Sequence, residues 1–292
     1  GYLADVNNYD GWRYHLDNKD DNKGTEFAWR ADMDLAFDSD FVRSFKAGVR
    51  YTDRDAETKG NIYRFMCLNT ACGAATDSPF AAFPSIGIVT NPITDFFRGE
   101  SSTFGRTLTA ANSAVSNYEQ TLATFGASPL VFAPNNINAQ TEKTYAAYGV
   151  LRFGVDSDSI PFDGNIGVRV VRTEVGSTGV RTGADSEGGG LIPVDAQQTY
   201  TDVLPSLNLR WMLSDQLQWR FAASRGISRP TFDRLNPNLS LGTNSGAGGS
   251  TLVGNAGNPE LEPVKADQFD TALEWYFGQG SMMYGTLFYK KV

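Results

Sequence analysis

A segment that alternates apolar and polar residues strictly over a dozen positions must present two chemically different faces. Residues 25–38 (TEFAWRADMDLAFD) do so with aromatic residues. Phe27, Trp29, Ala31, Met33, Leu35 and Phe37 take the odd positions, and Glu26, Arg30, Asp32 and Asp34 take even ones. Successive strand side chains point to opposite sides, so one face is greasy and the other charged. A soluble sheet has no use for many long strands with an apolar outside. A wall in lipid does.

The pattern recurs. After an indistinct start over 1–23, strands are read at 25–38, 41–55, 142–156, 163–175, 198–213, 217–228, 265–277 and 281–291. In the fifth, Val203, Leu207, Leu209, Trp211 and Leu213 oppose Ser206, Asn208 and Arg210; in the last, both parities carry apolar residues and the facing is ambiguous. The connections run short (39–40), very long (56–141), short (157–161), long (176–197), short (214–216), long (229–264) and short (278–280). That rotation predicts an all-β fold, a transmembrane antiparallel β-barrel with short periplasmic turns and long extracellular loops. Trp211, Trp275 and Phe277 adjoin the short turns, where an interfacial aromatic girdle sits, and Trp29 and Tyr51 serve the opposite rim. Within 107–125, Leu108, Val115, Tyr118, Leu122 and Phe125 recur at helical spacing, which predicts one short helix inside the first long loop.

Composition narrows the function. No run of 18 apolar residues exists, so no transmembrane helix is expected. The formal charge of −8 argues against nucleic acid as a partner, which would require a basic stripe. Gly1 opens in polar sequence with no leader-like segment, so the chain is read as an interior piece of a longer exported protein. His15 is the only histidine, and neither a nucleophile elbow, a phosphate loop nor a zinc spacing accompanies it. Carboxylates are numerous, but Asp32 and Asp34 alternate among arginines as a lumen lining would. Neither enzymatic activity nor a cofactor or metal is expected. Cys67 and Cys72 bracket four residues of the first long loop and read as a local disulfide.

Arg30, Arg50, Arg152, Arg169, Arg210 and Arg220 all fall on the polar face of their strands. An arginine facing lipid at mid-depth costs about 2–4 kcal/mol, so this placement is what a lumen requires. Two readings stand: a salt-bridged lining that docks something inside the barrel, or direct contact with an anionic or hydroxyl-rich solute. Candidate solute contacts on the wall are Arg169, Asn208, Arg210, Arg220 and Glu274; in the loops they are Phe96, Tyr118, Asn236 and Asn238. Asparagines and aromatic rings suit sugar recognition, and they suit ordinary loop turns equally well.

Several ordered motifs resemble one family. They are Leu204-Pro205-Ser206-Leu207-Asn208, Ser228-Arg229-Pro230, Asn236-Pro237, Gly257-Asn258-Pro259-Glu260-Leu261-Glu262-Pro263 and Glu274-Trp275-Tyr276-Phe277, with FKAGVRYTDRDAE (45–57) and GNIGVRVVRTE (164–174) upstream. Over 25–55 and 142–292 the chain resembles the barrel of TonB-dependent outer-membrane receptors. The resemblance implies a 22-stranded barrel holding an N-terminal plug. It also implies uptake of a scarce solute across the bacterial outer membrane, driven by the TonB energy-transducing complex through that plug. Its subfamily motifs point to an oligosaccharide; an iron-chelate (siderophore) receptor of the same family and a passive porin are the alternatives, and a secreted β-rich binding module is a third class. Residues 1–292 are then one partial barrel domain of about eight strands, with plug and C-terminal strands absent and outer-membrane lipid as its surroundings.

Overall fold

The structure, a computed structural model, describes residues 2–9, 14–61, 64–67, 83–92, 96–99, 106–156, 160–182, 190–246 and 249–292. In chain order its elements are β1 (Tyr14–Asp17), β2 (Asp20–Ala36), β3 (Val42–Gly60), β4 (Arg64–Cys67), β5 (Ile88–Pro92), β6 (Arg106–Ala110), α1 (Ser113–Ser116), α2 (Tyr118–Thr124) and β7 (Ile137–Val155). There follow β8 (Phe162–Thr182), β9 (Leu191–Ser214), β10 (Leu217–Ser228), β11 (Ser240–Gly246), β12 (Gly249–Asn255), β13 (Val264–Gly278) and β14 (Ser281–Lys291). The chain divides into two compact units, one of residues 1–21 and 60–133, the other of 22–59 and 134–292.

The second unit is built on one antiparallel sheet of eight strands in the order β14-β13-β10-β9-β8-β7-β3-β2. Each strand pairs with its neighbour in the chain or across a long connection, as an up-and-down wall requires. The sheet is open, with β2 and β14 as its edges. The eight strands expected from the sequence are all present, and most run further than their apolar stretches: β8 has 21 residues and β9 has 24. A membrane crossing takes about 9–11 tilted residues, so the remainder extends the wall beyond the apolar band. Side-chain parity follows the register. Leu151, Ile166, Leu207, Ala223 and Phe269 stand opposite one another on the apolar face. Register also resolves β14: Tyr284, Thr286 and Phe288 oppose Glu274, Ala272 and Asp270, so its even positions share the polar face.

Aromatic side chains gather on the apolar face near the short turns. Trp211 stacks on Trp219 at 4.7 Å and lies 6.4 Å from Phe162, and Trp275 sits 4.8 Å from Phe277. Toward the other end, Tyr51 is 5.1 Å from Tyr145 and 6.5 Å from Phe27.

Two loop expectations change. The connection 229–264 carries the hairpin β11–β12. In the first unit, the single helix predicted over 107–125 is instead a strand, β6, paired with β5, followed by the two short helices α1 and α2. Thr107 and Thr109 alternate with Leu108 at the start of that window, and β-branched residues favour the extended pairing. Only Leu122 of the two helices is buried, while Val115 is 80% exposed. Ser157, at the start of the second short turn, and Gly188 and Gly189 of the connection 176–197 lie outside the described residues.

Candidate functional site

The polar face of the large sheet is where the wall candidates meet. Asn208, Arg210 and Arg220 line one recess of about 670 Å³ together with Arg152, Asn165 and Asp270. Cross-strand register builds it, since Asn165 opposes Asn208, Arg210 opposes Arg220, and Ala222 opposes both Asn208 and Asp270. The Asn208 amide donates to Asn165 Oδ1 at 3.0 Å. Arg210 Nε donates to Asp163 Oδ2 at 3.0 Å, and Arg220 Nε lies 3.3 Å from Glu274 Oε1. Glu274 also accepts from Gln218 and, at 2.8 Å, from the Tyr276 hydroxyl. Two of the candidate arginines are thus neutralised by their own strand neighbours, and Glu274 is occupied in doing so.

Arg169 stands elsewhere on the same face. Its row holds Tyr148 and Gly48, and the Tyr148 hydroxyl donates to Asp32. The ring and the carboxylate close over Gly48, where a Cβ would come within 2.6 Å of the Tyr148 ring. Among the described residues, Arg169 has no acidic partner, and neither have Arg152 and Lys46. Arg50 reaches only the Thr52 hydroxyl, at 3.3 Å. These four cations lie on adjacent strands: Arg50 opposes Ala146, Lys46 opposes Val150, and Arg152 and Arg169 flank those positions on β7 and β8. A chain of net charge −8 therefore concentrates unpaired positive charge on one part of its polar face.

The connection after β10 folds back on the same face. Arg229 Nη1 lies 3.8 Å and Arg54 Nη1 3.4 Å from Glu142 Oε1, while the Arg54 guanidinium covers the Phe232 ring at 5.1 Å. The Glu142 and Asp202 side chains are 4% and 2% exposed, and Asp202 is met by Lys265 Nζ at 2.9 Å. Asn238 braces the fold: its Oδ1 accepts from Val180 N at 2.8 Å, and its Nδ2 donates to the carbonyls of Asn135 at 2.8 Å and Ile137 at 3.1 Å. Asn236 Oδ1 accepts from Asn238 N at 3.0 Å. Gly257 packs against the Arg234 and Asn236 carbonyls so closely that a Cβ would sit 2.5 Å from each. The Asn-Pro motif and the Gly-Asn-Pro motif are thus two halves of one brace. Glu142, Asp202 and Phe232 are residues that sequence reasoning missed, with only the polar parity of Glu142 and Asp202 as a hint; Arg229 was legible in the Ser228-Arg229-Pro230 motif, but its carboxylate partner was not.

In the first unit, the Tyr118 hydroxyl donates to Asp17 Oδ2 at 2.7 Å. Arg64 grips the same carboxylate through Nε and Nη2, and His15 Nε2 lies 3.4 Å away. The Arg64 guanidinium is the largest influence in holding the Asp17 carboxyl down at about 2, and burial pushes the Tyr118 hydroxyl up. Tyr118 therefore ties α2 to β1. Phe96 falls in the 3₁₀ turn Phe96–Gly99, and its side chain lies outside the described residues. Cys67 is disulfide-bonded; Cys72 lies outside the described residues.

Similarity to known proteins places this wall. Among solved structures, the ferric-catecholate import receptor Fiu of E. coli K12 shares 12% identity at a TM-score of 0.47, over 92% of this chain and 31% of its own. The ferric yersiniabactin uptake receptor FyuA of Yersinia pestis shares 13% at 0.45, over 94% and 29%. The ferric enterobactin receptor PfeA of Pseudomonas aeruginosa shares 12% at 0.34, over 91% and 34%. The chain spans about a third of the length of these structures. No curated protein matches it. The family described as TonB dependent receptor-like, beta-barrel matches residues 1–292. That match takes in the whole eight-stranded sheet, and the chain belongs to this family of bacterial outer-membrane receptors.

Proposed function

We propose that the chain is part of the wall of an importer that takes up a scarce anionic solute, of the metal-chelate class, with energy delivered through TonB. The observation that supports it is the group of unpaired cations Lys46, Arg152 and Arg169 on the polar face, beside arginines already neutralised by Asp163 and Glu274. Unpaired guanidinium and ammonium groups in a narrow, low-dielectric passage attract anions. A neutral oligosaccharide gains nothing from them, which weighs against the sugar expected from the subfamily motifs. One feature favours that second reading: the Asn165–Asn208 amide pair offers hydrogen bonds of the kind hydroxyls take.

Uptake of radiolabelled ferric chelates and of labelled oligosaccharides by cells carrying the full-length receptor tests the proposal. Ferric-chelate accumulation is expected, lost on removal of TonB and reduced about tenfold by Lys46→Gln with Arg169→Gln. Accumulation that persists without TonB identifies a passive pore. Sugar accumulation indifferent to the two substitutions restores the oligosaccharide reading.

A further inference from the structure

Two guanidinium groups share one buried carboxylate oxygen, and they are held unequally. Arg54 Nη1 donates to Glu142 Oε1 at 3.4 Å from the position directly opposite on β3. The same Arg54 lies 3.5 Å from Glu26 Oε2 and covers the Phe232 ring. Arg229 Nη1 lies 3.8 Å from the shared oxygen, beyond hydrogen-bond length. Its Nε is buried and has no hydrogen-bond partner among the described residues. The Glu142 side chain is 4% exposed and the Arg229 side chain 30%. A buried carboxylate stripped of its cation is strongly destabilising, but Glu142 keeps Arg54 when Arg229 leaves. Arg229 is therefore the exchangeable partner. Lys265 is not, because among the described residues it is the one cation that meets Asp202.

Position along the wall gives the exchange a direction. Glu142 stands on the polar face of β7, four residues before Ala146, which opposes Arg50, and eight before Val150, which opposes Lys46. At about 3.3 Å per residue, the first of these steps is about 13 Å toward the long connections. Arg229 thus heads the series Arg50, Arg169, Lys46 and Arg152 at the extracellular end of the polar face. Pro230 confines the backbone of Arg229 to extended conformations, so the side chain swings from a fixed point.

We infer that Arg229 is a further contact for the solute, a guanidinium parked on Glu142 that turns to a carboxylate of the incoming anion. The inference rests on the proposed uptake of an anion. The Nε–Nη2 edge of a guanidinium presents two parallel donors that match a carboxylate, and in Arg229 this edge makes no hydrogen bond among the described residues. Glu142 then stands in for the solute. It holds Arg229 at the entrance and competes with the arriving anion, so the apparent affinity is lowered by the fraction of receptors in which Arg229 is still parked. A pair that served only to fasten the connection after β10 would behave in the opposite way: without Glu142 the connection would loosen and anion binding would weaken.

Arginine modification of the full-length receptor by phenylglyoxal in mild detergent, read site by site by mass spectrometry, tests this. The probe is citrate, a simple tricarboxylate. Citrate is expected to slow modification of Arg229 about fivefold and to leave Arg54, fixed by Glu26 and Phe232, unchanged. In Glu142→Gln the same protection of Arg229 should appear at about tenfold lower citrate, because the internal competitor is gone. Arg229→Gln removes no buried carboxylate's last cation, assembles even if the Glu142 variant does not, and should bind radiolabelled citrate about tenfold more weakly in equilibrium dialysis. Absence of citrate protection at Arg229, unchanged or weaker protection in Glu142→Gln, or wild-type citrate binding in Arg229→Gln overturns the inference. A receptor that accumulates no ferric chelate yet shows the protection refutes the uptake proposal and supports the Arg229 site; chelate uptake without the protection does the reverse.

Discussion

Arg64 holds both oxygens of Asp17, its Nε 2.9 Å from Oδ1 and its Nη2 2.6 Å from Oδ2, and so clamps β4 to β1. The Asp17 carboxyl sits at about 2 rather than its ordinary 3.8, chiefly because of that guanidinium. A depressed carboxylate stabilises the fold fully above its unfolded value, and the contribution is lost as pH falls through the folded one. It amounts to about 2 kcal/mol here. Hydrogen-exchange protection over 14–17 and 64–67, with the intrinsic amide rates divided out, should be high and constant at pH 5–7 and fall as pH drops from about 4 toward 2. In Asp17→Asn, protection should be low throughout and the acid dependence absent.

Asn238 satisfies three backbone groups from a side chain that is nearly buried. Asn238→Ala removes a partner from one partly buried N–H and two partly buried carbonyls, at up to about 1–3 kcal/mol for each group left unsatisfied. Proteolysis should then cut within 229–239 at least ten times faster, while the barrel still resists unfolding on an unheated gel. Unchanged cleavage would show that the connection is held by other contacts.

Gly257→Ala should loosen the same connection, because its Cβ collides with the two carbonyls of the neighbouring motif. The affected atoms are backbone, which cannot swing aside. The expected result matches that of Asn238→Ala, and the double variant should be no worse than about 0.5 kcal/mol beyond the larger single effect, since both release one brace. Full additivity would place the two residues in separate structures.

Leu207 lies on the apolar face, opposite Ile166 and Ala223. Leu207→Arg should cost about 2–4 kcal/mol and lower insertion into vesicles, whereas Asn208→Arg, one residue on and on the other face, should not. Normal insertion of the Leu207 variant would show that this face does not meet lipid.

The brace shows where sequence reading reached and where it stopped. Asn236 and Asn238 stood out as loop asparagines, but the partners of Asn238, namely Val180, Asn135 and Ile137, are far away in the chain and offer backbone atoms that carry no residue signature. Likewise the helical spacing of 107–125 was real in the sequence, yet pairing of Arg106–Ala110 with Ile88–Pro92 took its first turn away. Six arginines were legible as one polar set; which of them were spent on Asp163 and Glu274 was not.

By itself the amino-acid order determined the eight strands of the wall, the faces they present and the alternation of short and long connections between them, because side-chain direction in a strand depends only on parity along the chain. Only the tertiary structure decided which charges are neutralised and which remain open. Arg210 meets Asp163 and Arg220 meets Glu274 across strand boundaries, and that depends on register, which pairing between distant segments sets.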